Sequence, residues 1–194
     1  MRTFLLFFSI FLIVSCSTAQ DNKGASNTDA EEIPWKNETT FKTKSGVVIP
    51  KIIKSNNEWE KELSDKKYYV LRKKGTERAF TSQLLKIKKE GVYVCAACRF
   101  PLFDSKTKFK SGSGWPSFYQ PIEEGFLHRD TDYNIGYART EVMCMRCEGH
   151  LGHVFNDGPQ PTGLRYCING VSLEFEEGQD VDALIEKIKI QETN

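Results

Sequence analysis

Six cysteines and three histidines are the side chains with the most chemistry to offer in this sequence, and their spacing sorts them into sets. Cys95 and Cys98 in VCAACRF, and Cys144 and Cys147 in MCMRCEG, form two C-x-x-C pairs. Each pair follows a strand-like run, and two such knuckles brought together offer four thiolates to one tetrahedral zinc ion. The 45 residues between the pairs exceed the spacing of about 15 to 20 in the compact zinc pattern, so a metal here joins parts of the chain that are distant in sequence. Disulfides or redox-active pairs are the alternative that an exported location permits. Four sulfur ligands fill a zinc shell and leave no position for water, so such a metal holds a fold and the chemistry must come from elsewhere.

Cys167, in TGLRYCING, belongs to neither pair. A thiol attacks as thiolate, and a nearby arginine favours that form by giving the charge a partner. In a strand, Arg165, Cys167 and Asn169 fall on one side because side chains alternate. His150 and His153 stand three apart in HLGHVF, and Asp157 follows His153 by four. Cysteine, histidine and carboxylate are the parts of a nucleophile with an acid/base partner. Each part has a simpler alternative: a free cysteine as a small buried hydrophobe, histidines supporting the metal site three residues after Cys147, an aspartate turning the chain in NDGP. In SGSGWPSF, residues 111–118, two glycines and a proline set a tight loop presenting Trp115, which can wall an apolar pocket or fill the core. The conjunction favours a reactive cysteine.

The elements that must position these residues are mostly strands. GVYVC, YARTEVMCM and VSLEFEE carry strand patterning, with Val171, Leu173 and Phe175 on one side of the last. Within SNNEWEKELSDKKYYVLRKKG, Ser55 to Glu58 and Asn57 to Glu60 both have capping-box spacing, and Trp59 and Leu63 share a helical face. Behind Asp180 as a cap, Val181, Leu184, Ile185 and Ile188 keep the spacing of an amphipathic C-terminal helix. No repeat of 20 to 50 residues is present.

At 194 residues, 39% of them hydrophobic, the chain suits one globular domain plus appendages. The run from Phe4 to Val14 is too short for a bilayer, which needs roughly 20 apolar residues, but it matches a signal-peptide core. Ile13-Val14-Ser15-Cys16 resembles a bacterial lipobox, in which cleavage leaves Cys16 as a lipid-bearing N-terminus. The expected organisation is a signal peptide at 1–15, a polar tether at 16–32 and a folded domain at 33–194. The formal net charge of +1 falls to zero without residues 1–15, which argues against a nucleic-acid partner bound by a basic field. The expectation is a monomer on the periplasmic side of the cell envelope, attached to the membrane only by lipid.

Five stretches together resemble the B-type methionine-R-sulfoxide reductases: KKGTERAF (73–80), GVYVCAACRFPLF (91–103), SGSGWPSF (111–118), CMRCEGHLGHVFNDGPQPTGLRYCING (144–170) and SLEF (172–175). The resemblance implies two antiparallel β-sheets with short N-terminal helices and a C-terminal helix, with structural zinc on Cys95, Cys98, Cys144 and Cys147. It implies that Cys167 is the catalytic cysteine and Arg165 its activator. His150, His153, Asp157 and Asn169 are then the polar part of the pocket, and Trp115 the wall that receives the substrate methyl group. Many members carry a resolving cysteine where this chain has Ser113, so the resemblance also implies recycling by an external thiol such as a thioredoxin-like protein. Smaller departures are Asn156, where a proline is common, and Gly170-Val171, where hydroxylated or alanine-type residues are usual. Two rivals are a zinc-ribbon binding module, which makes no special demand on Cys167, and a Cys-His hydrolase or acyltransferase, which needs oxyanion donors.

Overall fold

Ser55 opens the first helix as the capping spacing predicts: its hydroxyl accepts from the Glu58 N–H at 3.3 Å, and the Glu58 carboxylate accepts from the Ser55 N–H at 2.8 Å. The computed structural model describes residues 38–133 and 136–192. The capped helix, α1 (Asn56–Glu62), buries Trp59; Asn57, the alternative cap, lies inside it. A second helix, α2 (Asp65–Lys73), follows at once and ends where Lys74 turns left-handed at φ 55°. At the other end, α3 (Val181–Glu192) is capped by Asp180, whose carboxylate accepts from the Ala183 N–H at 2.8 Å, and it buries Leu184, Ile185 and Ile188. No helix among the described residues is long and apolar enough to cross a membrane.

The remaining elements are strands in antiparallel sheets. A short hairpin pairs β1 (Thr40–Lys42) with β2 (Val48–Pro50). The three-stranded sheet holds β3 (Gly91–Cys95) between β11 (Leu173–Glu177) and β4 (Pro101–Asp104). The six-stranded sheet comprises β5 (Lys108–Phe109), β6 (Ser117–Phe118), β7 (Leu127–Asp132), β8 (Arg139–Cys144), β9 (His150–Phe155) and β10 (Arg165–Ile168), in the order β5-β6-β10-β9-β8-β7. The expected two-sheet domain is present, with the β1–β2 hairpin as a small addition.

An aromatic core fixes which way β10 faces. Tyr166 is fully buried, and its ring lies 5.8 Å from that of Phe103, which stacks on Phe118 at 4.4 Å; Tyr93 meets Phe118 edge-on at 4.9 Å. Because side chains alternate, burying Tyr166 turns Arg165 and Cys167 to the opposite face. A one-residue slip would expose the aromatic at a cost of roughly 1.5–3 kcal/mol and bury the thiol in its place. The core thus sets the orientation of the reactive residues.

Register then brings the chemistry together. Asp130 pairs with Glu141, Glu141 with His153, His153 with Cys167, Cys167 with Ser117, and Ser117 with Phe109. Directly opposed residues share a face, so one row of six side chains crosses all six strands with the thiol near its middle. The backbones of β9 and β10 approach closely there: a Cβ on Gly152 would meet the Cys167 carbonyl oxygen at 2.1 Å. Any side chain at position 152 would push the His153 strand away from the thiol.

Candidate active site and metal centre

The two C-x-x-C knuckles repeat one local design. In each, the N–H of the residue four after the first cysteine (Arg99, Glu148) donates to that cysteine's carbonyl at 2.8 Å, and that residue is left-handed, with φ of 63° and 57°. Cys95 ends β3 of the three-stranded sheet and Cys144 ends β8 of the six-stranded sheet, so the knuckles meet where the sheets meet. All four sulfurs lie within 4.8 Å of one another, with Cys95 to Cys147 at 3.7 Å and Cys98 to Cys144 at 3.6 Å. Tetrahedral Zn–S bonds of about 2.3 Å require sulfurs about 3.8 Å apart, whereas a disulfide requires about 2.05 Å. None of the four is joined in a disulfide, and their separations fit a tetrahedral metal site better than disulfide bonding.

Burial pushes the thiols of Cys98 and Cys144 well up, whereas hydrogen bonds from the neighbouring cysteines pull that of Cys95 well down; a cation among the sulfurs would favour the thiolate form. The donor set therefore fits a structural metal ion. Arginines brace the cluster: Arg72 donates to the Cys147 carbonyl at 2.7 Å and Arg146 to the Cys98 carbonyl at 2.8 Å.

Cys167 is half-buried on β10, apart from that cluster. Its Sγ lies 3.6 Å from the Ser113 hydroxyl, so the SGSGWPSF loop closes over the thiol. Arg165, two residues before Cys167 on β10, clasps Asp157 bidentately at 2.9 and 2.8 Å, and its guanidinium also lies over the Phe155 ring at 4.5 Å. The Asp157 hydrogen bond, outweighing burial, raises the Arg165 pKa above its ordinary value. Asp157 is in turn held below the usual carboxylate range by Arg165. Thus Asp157 is more than a turn residue: it holds the side chain of Arg165, which stands two residues from Cys167 on the same strand.

Both histidines have carboxylate partners that pattern reasoning missed. His153 Nε2 is 2.7 Å from Asp132, which also binds Arg139 at 2.6 Å. Burial, outweighing the Asp132 hydrogen bond, lowers the His153 pKa below its ordinary value. With Nε2–H donated to a carboxylate, the neutral ring presents Nδ1 as an acceptor. His150 Nδ1 is 2.7 Å from Glu141, which also binds Lys74 at 2.6 Å. Burial raises the Glu141 pKa, but hydrogen bonds from His150 and Lys74 outweigh it and hold the carboxyl below the usual range. The two imidazoles meet edge-on, 5.4 Å apart.

Asn169 is the residue that strand alternation misplaces. The strand ends at Ile168, and Asn169 instead begins a 3-10 turn at Gly170–Ser172. Its buried amide accepts from the Glu77 N–H at 3.0 Å and donates to the Leu151 carbonyl at 3.1 Å. The same break displaces Val171, which lies in the turn and not on β11. Glu77 is a second residue that pattern reasoning missed: its buried carboxylate accepts from the Gly170 and Val171 N–H groups, and its carbonyl accepts from the Trp115 indole at 3.1 Å. Glu77 thereby joins the end of the Cys167 strand to the half-buried Trp115. Its signal was the KKGTERAF stretch. Cys16 lies outside the described residues.

Comparison with known proteins accounts for this arrangement. Residues 63–177 match the SelR domain. The peptide methionine sulfoxide reductase MsrB of Leptospira interrogans is 58% identical over 124 residues, 64% of this chain and 95% of the relative. Its namesake in Pseudomonas putida is 55% identical over 127 residues, 66% of this chain and 96% of the relative. That of Acinetobacter baylyi is 49% identical over 132 residues, 68% and 95% respectively. The matched segment contains both knuckles, the SGSGWPSF loop and the whole row through Cys167, and the chain belongs to the SelR-domain family, the B-type methionine-R-sulfoxide reductases.

Proposed function

We propose that this enzyme reduces peptidyl methionine-R-sulfoxide to methionine through a sulfenic acid on Cys167, which an external thiol then reduces. The observation that carries the proposal is the register pair His153↔Cys167, with Arg165 two residues from the thiol on the same face. The depressed pKa keeps His153 neutral near pH 7, so Nδ1 takes the thiol proton while Arg165 accompanies the thiolate. The thiolate attacks the sulfoxide sulfur to form a sulfur–sulfur bond, and the imidazolium returns its proton to the sulfoxide oxygen. Transfer of that hydroxyl to the Cys167 sulfur breaks both the substrate S–O bond and the new S–S bond, releasing methionine. Sulfur of the substrate gains two electrons, sulfur of Cys167 loses two, and the oxygen ends as Cys167–SOH. Two equivalents of thiol then restore the cysteine, leaving a disulfide and water. Trp115 walls the pocket that takes the substrate methyl group, and His150 and Asn169 hold the polar side in place. Zinc on the four clustered cysteines ties the sheets together and takes no part in the redox step.

The resolving thiol is external because Ser113, the side chain whose Oγ lies beside the Cys167 sulfur, has no sulfur of its own. A thioredoxin-like protein is the natural donor. The apolar run at 4–14 followed by Cys16 supports a lipid-anchored enzyme repairing oxidised proteins of the cell envelope. A single turnover without added thiol, followed by dimedone trapping and peptide mass spectrometry, is expected to label Cys167 alone. Ser113→Cys is expected to lose that label and gain a disulfide between positions 113 and 167. An intramolecular disulfide at Cys167 in the unaltered chain would contradict external recycling.

The acid limb of the rate profile follows from the same geometry. His153 acts as a base, which requires its neutral form; its lowered pKa keeps that form available until pH falls below the ordinary histidine range near about 6.5. kcat/KM for substrate at saturating thiol is expected to stay level through neutrality and drop only below that range. His153→Asn is expected to lose about 10²–10⁴-fold in kcat/KM and the acid limb with it. An acid limb at the same pH in His153→Asn would assign the titration to another group.

A further inference from the structure

An open groove of about 550 Å³ begins at Trp115 and runs over the edge strand β5, with Phe80 and Phe109 among its apolar walls. Lys88, Lys89, Lys106, Lys108 and Lys110 border it against one acid, Glu90. The whole chain is nearly balanced, with 27 basic and 26 acidic side chains, so this concentration is local. Two of the five lysines have partners: Lys89 pairs with Glu177 at 2.7 Å, and Lys108 donates to the Ile87 carbonyl at 2.7 Å. Lys88, Lys106 and Lys110 are exposed and make no ion pair among the described residues. Phe80 is 71% exposed and left-handed at φ 66°, held there by its N–H donating to the Gly114 carbonyl at 2.8 Å. A bulky residue rarely adopts that conformation, and here it sets an aromatic ring in solvent at the groove's rim. Gly114 is required for the arrangement, since a Cβ there would meet Ala79 at 2.7 Å and the Phe80 ring at 3.0 Å.

Hydrogen bonds link the wall of the groove to the thiol. Ser111, on its wall, shares hydrogen bonds of 2.8 Å with Ser113 and with Ser117; Ser113 touches Cys167, and Ser117 opposes it. Phe109 lies two strands from Cys167 on the same face, roughly 10 Å away at about 4.8 Å per strand. An extended chain covers that distance in about three residues. We infer that this groove binds the segment of the substrate protein about three to five residues from the oxidised methionine, and that it selects segments carrying carboxylates beside apolar side chains. Apolar walls take the side chains and the three unpaired lysines take the carboxylates. The inference deepens the reductase reading above and rests on it.

The test compares peptides carrying methionine-R-sulfoxide with either Asp/Glu or Lys three to five positions away on each side, with a blocked single-residue sulfoxide as the control substrate. At low salt, kcat/KM is expected to favour the acidic peptide over the basic one by about tenfold or more, falling at high salt as charges are screened. Lys88→Glu, Lys106→Glu and Lys110→Glu combined are expected to reverse that ratio, and the three alanine substitutions to bring it near one. A ratio near one in the unaltered enzyme, or one that the substitutions leave unchanged, would overturn the inference. A groove reserved for the reducing protein gives that same flat ratio and alters only the KM for the reductant. Failure of the control sulfoxide to react would sink the reductase reading instead. Anisotropy of the dye-labelled acidic peptide on Cys167→Ser then decides the groove separately: tight, salt-sensitive binding lost in the lysine variants upholds it, and equal binding of the basic peptide ends it.

Discussion

Cys167→Ser is expected to reduce turnover by about 10³–10⁴-fold or more, to the background of the thiol in the buffer, while leaving the fold intact. Hydroxyl oxygen is a far weaker nucleophile near neutral pH and has no counterpart to the sulfenic acid, so no alternative route replaces the lost step. The stability effect is small because Cys167 is only half-buried and lies on the face opposite the aromatic core, whose Tyr166 the substitution leaves in place. A change within about 1 kcal/mol is expected. Turnover with dithiothreitol as reductant and melting followed by circular dichroism separate the two effects. Substantial residual turnover in a folded Cys167→Ser protein would place the chemistry on another group.

Loss of a metal ligand is expected to do the reverse, costing the fold first. Structural zinc supplies roughly 10–16 kcal/mol to zinc-finger peptides, which have almost no other core. This domain has an aromatic core of its own, so a smaller share, about 5 kcal/mol, is the reasonable scale for Cys98→Ser. At about 2–4 °C per kcal/mol for a domain of this size, the melting temperature falls by about 10–20 °C. Elemental analysis is expected to find one zinc per chain in the unaltered protein and much less in the variant. Because Cys95 ends a strand of one sheet and Cys144 a strand of the other, the loss is expected to be global, opening the seam between the sheets. A metal-free protein melting at the same temperature would show that the cysteines pack as thiols and that the metal is dispensable.

Local patterns were legible where one stretch of chain sufficed to determine them. The Ser55 capping box, the Asp180 cap with its apolar stripe, and the two C-x-x-C knuckles all stand where spacing puts them. The thiol, its arginine and the SGSGWPSF loop were legible as residues and converge in the structure. Partners supplied across strands were not. Asp132 and Glu141 reach His153 and His150 through the β7–β8–β9 register, and no periodicity in either strand announces which residues will stand opposite. Alternation failed at Asn169 because the chain leaves the strand at Ile168 for a turn whose Gly170 and Val171 N–H groups Glu77 caps from 93 and 94 residues away in sequence. Local rules carry no information about such a contact. The lysine groove was invisible for the same reason, since Lys88 and Lys106 come together only when β5 reaches the sheet edge.

The most direct test of the central claim is stereochemical. Residues 33–194, loaded with zinc and supplied with dithiothreitol, are mixed with both epimers of a blocked methionine sulfoxide, and each epimer is followed by chiral chromatography beside Cys167→Ser. Disappearance of the R epimer alone, with methionine formed in equal amount and neither change in Cys167→Ser, is the expected result. Persistence of both epimers with folded, zinc-loaded protein would contradict it.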